Sequence, residues 1–108
     1  MARASERFQV SLAADPAHRA CRQAIATLGW QLDAVQPDRL LVWRSFGFLN
    51  AESTRVEIGL SYQGQDETAI SLDGRMPLGI GRGDRRALLG WMNAIRNAIE
   101  VAAEQQRK

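Results

Sequence analysis

The residues whose types and spacing best suit them to chemistry lie just before the last predicted helix. Segment 79–86 has three glycines at alternate positions, and three arginines lie within it. A helix start offers unpaired N–H donors and the positive end of the helix dipole, so it can hold an anion. Arg75 is able to reach the same place from the preceding strand. The sequence therefore predicts an anion site formed by Arg75, Arg82, Arg85 and Arg86.

Two features of this segment argue against a phosphate-binding fingerprint. Its G-x-G-x-G spacing differs from the dinucleotide motif, and no Gly-Lys-Ser/Thr follows as in a P-loop. Asp84, the predicted N-cap of the helix, would itself occupy the donors that an anion needs. The alternative interpretation is a flexible connection that turns the chain from the sheet edge to the final helix.

A second candidate site is apolar. Segment 46–49 reads Phe-Gly-Phe-Leu after a predicted strand, and an exposed apolar loop indicates a partner or a pocket mouth. If Trp43 and Trp91 both point between the sheet and the final helix, they line a small-molecule cavity. The predicted ligand or partner site comprises Trp43, Phe46, Phe48, Leu49 and Trp91. The alternative is that the segment continues the strand and that the tryptophans fill the core.

The remaining reactive side chains indicate no catalytic chemistry. His18 is the sole histidine and is predicted on the polar side of the first helix, in water. Cys21 falls on the apolar stripe of that helix and is predicted to be a small buried hydrophobic residue. No CxxC, HExxH, EF-hand or G-x-S-x-G pattern occurs. We therefore expect no enzyme activity, no metal and no cofactor.

The composition is that of one globular domain. The chain has 108 residues, 45% of them hydrophobic and 24% charged, and we expect residues 1–5 and 105–108 to fray. The net charge of +2 comes from 14 basic and 12 acidic residues spread over every element, which argues against nucleic acid as a partner. A single cysteine and the lack of any long apolar run predict a cytoplasmic protein without a membrane span.

Hydrophobic periodicity predicts two helices and five strands. Period-2 alternation predicts strands over 6–13, 30–34, 40 to 43 or 45, 53–62 and 68–73. Asp15 and Pro16 predict the start of the first helix, and Gly29 predicts its left-handed end. Asp84 caps a long final helix, within which Gly90 indicates close approach of another backbone, from the first helix or a second subunit. Leucine at Gly90 is therefore predicted to destabilise the fold or a homodimer.

The element order is β-α-β-β-β-β-α, which predicts an α+β fold with an antiparallel sheet and two helices packed on one face. This order resembles the TATA-binding-protein-like and helix-grip group of folds over nearly the whole chain. It is also similar to small uncharacterised bacterial domains with a Gly-rich, charged lead into a final helix. Members of these groups include nucleic-acid binders, lipid or hormone carriers and domains of unknown role, so the resemblance implies one of these roles for this protein.

Two functions follow from the candidate sites. The first is a non-catalytic binding or interaction module that holds an apolar small molecule or a protein partner. The alternative is an anion- or nucleic-acid-binding module that uses the Gly/Arg-rich lead into the final helix.

Overall fold

The computed structural model describes the backbone of residues 2–46, 52–76 and 81–107, and their side chains apart from those of residues 45–46, 52–53 and 81–84. The elements are β1 Ala2–Val10, α1 Ala14–Leu28, β2 Gln31–Gln36, β3 Arg39–Phe46, β4 Glu52–Gly64, β5 Glu67–Met76 and α2 Gly81–Arg107. The strands form one sheet in the order β1-β5-β4-β3-β2, and every neighbouring pair is antiparallel. The predicted α+β class and element order are confirmed.

One face of the sheet is buried and the other faces water. Along β1, Ala4, Phe8 and Val10 are buried, whereas Arg3 and Arg7 are exposed. This alternation is typical of an antiparallel sheet with one covered face. The core joins the covered face, which we call the inner face, to α2 through fully buried side chains: Leu40, Ile58, Ile70, Leu72, Leu88, Met92, Ile95 and Ile99. The opposite face is the outer face.

The final helix lies directly on the inner face at Gly74. A Cβ atom at this position would lie 2.8 Å from Met92 Sδ and 2.9 Å from Leu88 Cδ1. Gly90, in contrast, is exposed, and a Cβ atom there would meet no described heavy atom within 4 Å outside its own helix and neighbours. The predicted close approach of the first helix at Gly90 is therefore wrong, and the close approach to the sheet occurs at Gly74 on β5 instead. Contact of Gly90 with a second subunit stays a prediction.

An arginine on α2 fixes the helix against β1. Arg96 Nη1 donates to Glu6 Oε1, and its Nε donates to Glu100 Oε1 at 2.8 Å. The guanidinium carbon also lies 5.0 Å from the centroid of the Phe8 ring. Arg96 is half-buried at the junction of helix and sheet.

Several element ends differ from their predicted positions, and three helix and strand starts illustrate the differences. Helix α1 begins at Ala14, so Asp15 lies in its first turn, and the N-cap residue Ala13 makes no side-chain cap. Helix α2 begins at Gly81, which places Asp84 inside the helix rather than at its cap. Strand β1 begins at Ala2, because its first residues pair with the end of β5. Gly29 does end α1 in the left-handed region, with φ 78°, as predicted.

No helix within residues 2–46, 52–76 and 81–107 has both the length and the apolar content that crossing a membrane requires.

The single thiol makes stability sensitive to alkaline pH. Cys21 is fully buried, as predicted, and burial raises the pKa of its thiol from 9.0 to about 12. Because the folded-state pKa is raised, this stabilisation is complete below the unfolded-state pKa and declines as pH rises towards 12. We expect the thiol to lower the free energy of unfolding by about 1 kcal/mol between about pH 9 and pH 10. Urea unfolding of the parent and of Cys21→Ala measures this, and equal pH slopes for the two proteins would contradict it.

Candidate functional site

The structure separates the two tryptophans that were predicted to share a cavity. Trp43 pairs with Arg55 on the outer face and is 37% exposed, whereas Trp91 lies on α2, half-buried against the core. Leu40 and Val42 take the inner positions of β3, so Trp43 must point the other way. The prediction that both tryptophans point between sheet and helix is therefore wrong for Trp43. Phe46 ends β3, but its side chain, together with Phe48 and Leu49, lies outside the described residues.

The predicted anion cluster is also divided by the sheet. Arg75 points to the outer face, opposite Arg3 and Arg55 on the neighbouring strands. Arg85 and Arg86 are exposed on α2, which packs on the inner face. The side chain of Arg82 lies outside the described residues. Arg75 therefore does not join the arginines of the final helix, because its alternating position on β5 directs it away from them.

Strand register instead assembles a row of arginines that sequence reasoning missed. Arg3, Arg75 and Arg55 are direct cross-strand neighbours, and Trp43 continues the same row onto β3. Gln31 extends it to β2. Neighbouring strands lie about 4.8 Å apart, so these side chains stand at that interval across the outer face. We call Arg3, Arg75, Arg55 and Trp43 the arginine row.

A second row, two residues along each strand, carries acidic side chains. It consists of Ser5, Asp73, Glu57 and Leu41, which pair across β1, β5, β4 and β3. Ser5 Oγ donates to Asp73 Oδ1 at 2.6 Å. Arg39 Nη1 donates to Glu57 Oε1 at 3.2 Å, from the side of the row away from the arginine row. We call this the acidic row, and both of its carboxylates already have a partner.

A groove of about 690 Å³ runs between the two rows. The side chains of both rows line it, and its floor is the row of inner-facing residues between them: Ala4, Gly74, Val56 and Val42. Arg55 and Arg75 are exposed and form no hydrogen bond or ion pair with any described residue. We call this feature the outer groove. Its volume is in the range of small-molecule sites.

A buried polar side chain lies on the inner face, at the end of the sheet where α2 begins. Thr54 is fully buried there, two residues beyond Val56, and its Oγ1 has no hydrogen-bond partner among the described residues. Thr68, equally buried near the other end of the sheet, donates from Oγ1 to Leu12 O at 2.9 Å. The contacts of Gly74 with Leu88 and of Glu6 with Arg96 show that α2 starts at the Thr54 end.

Two further observations concern the metal-binding residue types in the described part of the chain. No group of three or more His, Cys, Asp or Glu side chains there is placed to hold a metal ion. His18 is half-buried, and its Nε2 lies 2.8 Å from Gln36 O, so the imidazole also contacts β2.

Solved structures share this fold at low sequence identity. No family model matches the chain, and no curated protein does. A START superfamily protein from Mycobacterium smegmatis is 14% identical, with a TM-score of 0.59, 95% of this chain covered and 97% of that one. CalC, a self-sacrificing resistance protein from Micromonospora echinospora, is 11% identical, with a TM-score of 0.63 and 96% of each chain covered.

A third neighbour is an aromatase/cyclase from a Streptomyces species. It is 10% identical, with a TM-score of 0.58, 98% of this chain covered and 95% of that one. The element order resembles both TATA-binding-protein-like and helix-grip folds, and these neighbours have the helix-grip fold. The protein therefore has a START-like, helix-grip fold, as polyketide cyclase-like proteins do.

Proposed function

We propose that this protein is a non-catalytic binding module that holds an apolar small molecule between the start of α2 and the inner face of the sheet. The fold supports a binding role, because one structural neighbour is a START superfamily protein and proteins of this fold commonly bind apolar ligands. The observation that carries the proposal is the Thr54 hydroxyl, which has no partner among the described residues.

A buried hydroxyl without a partner is costly to the free protein. Leaving a polar group unsatisfied in the interior costs about 1–3 kcal/mol. Its neighbours Val56 and Met76 on the same face are apolar and buried, and Arg44, directly opposite on β3, donates to Leu28 O at 3.2 Å. A ligand that is apolar apart from one hydrogen-bonding group would satisfy Thr54 and leave the rest of the surface in apolar contact.

The packing of α2 limits where such a ligand fits. Leu88, Met92, Ile95 and Ile99 are fully buried, so the helix is sealed against the sheet from Leu88 onward. We therefore place the proposed ligand at the end of the sheet that contains Thr54, ahead of Leu88. Trp91, half-buried on α2, is near enough along the helix to report binding there by its fluorescence.

A neutral apolar probe tests this proposal. We expect N-phenyl-1-naphthylamine to gain fluorescence in the folded protein with micromolar affinity, and Thr54→Leu to weaken its binding by about tenfold or more because leucine fills the space. Val101→Leu, on the exposed side of α2, is the matched control and should bind as the parent does. Equal binding by Thr54→Leu and the parent, or no uptake by the parent, would rule the site out.

A further inference from the structure

We propose that the outer groove is a second ligand site, which binds a mononucleotide with its phosphate on Arg55 and Arg75 and its base on Trp43. This inference is independent of the site proposed under α2, because the sheet lies between the two. Three observations carry it. Arg55 and Arg75 are directly opposed and have no hydrogen-bond or ion-pair partner among the described residues, an exposed aromatic ring is adjacent to them, and carboxylates line the other side of the groove.

The arginine row is an electrostatically unfavourable arrangement in the free protein. Arg75 stands directly between Arg3 and Arg55, and like charges at directly opposed cross-strand positions repel each other. Neither nearby carboxylate forms an ion pair with Arg55 or Arg75, since Asp73 accepts from Ser5 Oγ and Glu57 pairs with Arg39. A phosphate dianion bridging Arg55 and Arg75 would do so, and guanidinium groups bind phosphate through paired hydrogen bonds.

The aromatic ring stands at the distance that a nucleotide requires. Trp43 is the direct neighbour of Arg55, and its indole is 37% exposed without a hydrogen bond or ring contact to a described residue. One to two strand spacings, about 5–10 Å, separate it from the Arg55–Arg75 pair. A ribose bridges this interval, so the phosphate and the base of one nucleotide reach both features. Bases of every type stack on an exposed indole.

The acidic row selects a single nucleotide over a nucleic-acid strand. The carboxylates of Asp73 and Glu57 face the groove, where they can accept hydrogen bonds from ribose hydroxyls or exocyclic amino groups. A longer strand would bring further phosphates against these carboxylates and be repelled. The mixed charge of the groove therefore fits one phosphate, one sugar and one base.

Titration calorimetry with adenosine monophosphate at low ionic strength tests the proposal. We expect one-to-one binding that weakens as salt rises, and affinities at least about tenfold lower for adenosine and for inorganic phosphate. An oligonucleotide of about eight adenines should bind more weakly than the monomer. Tighter binding of the oligonucleotide would mean that the outer groove is a nucleic-acid surface and not a mononucleotide site. A lack of saturation by about 5 mM nucleotide would rule out the proposal.

Substitutions locate the site. Arg55→Gln combined with Arg75→Gln should weaken nucleotide binding by about thirtyfold or more while leaving the melting temperature unchanged or higher. Trp43→Leu should weaken it by about tenfold. Arg7→Gln, on the same face beyond the acidic row, is the matched control and should bind as the parent does. Unaltered binding by the double variant, or an equal loss in Arg7→Gln, would overturn the proposal.

The same variants test whether the two proposed sites are independent of each other. The double arginine variant should take up N-phenyl-1-naphthylamine as the parent does, and Thr54→Leu should bind the nucleotide as the parent does. If Thr54→Leu lost nucleotide binding as well, the outer groove would not be an independent site.

Discussion

Replacing Gly74 by valine is expected to lower the free energy of unfolding by about 3 kcal/mol. The new Cβ would lie 2.8 Å from Met92 Sδ and 2.9 Å from Leu88 Cδ1, and both of these side chains are fully buried. Valine adds two further methyl groups at the same point. Because Met92 and Leu88 are fully buried, their side-chain ends can shift only by disturbing the packing of α2 on the sheet.

Urea unfolding of Gly74→Val measures this effect, with Gly90→Ala as the matched glycine control. Gly90 lies on the exposed side of α2 with open space around it. Alanine there should raise the free energy of unfolding by up to about 1 kcal/mol through helix propensity alone. If Gly74→Val were as stable as the parent, α2 would not lie against β5 as described.

Valine substitutions at two buried threonines should change the free energy of unfolding in opposite directions. Thr68→Val is expected to lower the free energy of unfolding by about 2 kcal/mol, because Leu12 O loses its hydrogen-bond donor. Thr54→Val is expected to raise it by about 1 kcal/mol, because it removes a buried hydroxyl that has no partner among the described residues.

The threonine pair is well matched, since both side chains are fully buried on the inner face of the sheet. Urea unfolding of the ligand-free proteins gives both values. A loss of stability in Thr54→Val comparable with that in Thr68→Val would mean that the Thr54 hydroxyl has a partner within the protein, and the argument for a ligand there would fall.

The element order was predictable because most strands and both helices have strong local signals. Gly29 marks the end of α1, and the alternation of Val56, Ile58 and Leu60 marks β4. The start of β1 was not predictable, because Ala2 and Ala4 offer little hydrophobic contrast with their neighbours. Their strand conformation depends on pairing with β5, which lies far away in the sequence.

The candidate sites were predicted less well, because they depend on strand register and on the side of the sheet. Leu40, Leu41, Val42 and Trp43 are four consecutive apolar residues, so their alternation could not reveal that Trp43 faces outward. Arg75 was assigned to the helix start because it is near in sequence. Its actual neighbour Arg55 follows from the tight turn between β4 and β5, a signal that the sequence does contain.

The third arginine of the row had no local signal. Arg3 reaches Arg75 through the pairing of β1 with β5, which brings together the first and last strands of the sheet in chain order. Such long-range pairing is fixed by the burial of whole strand faces rather than by a turn. The groove that results was therefore outside the reach of motif and spacing arguments.

Intact mass under native conditions, recorded on the protein as purified from cells, tests the binding role most directly. We expect the parent protein to carry a small molecule that organic extraction removes, with a change in tryptophan emission, and Thr54→Leu to carry none. A parent protein with a clean ligand-free mass and emission unchanged by extraction would contradict it.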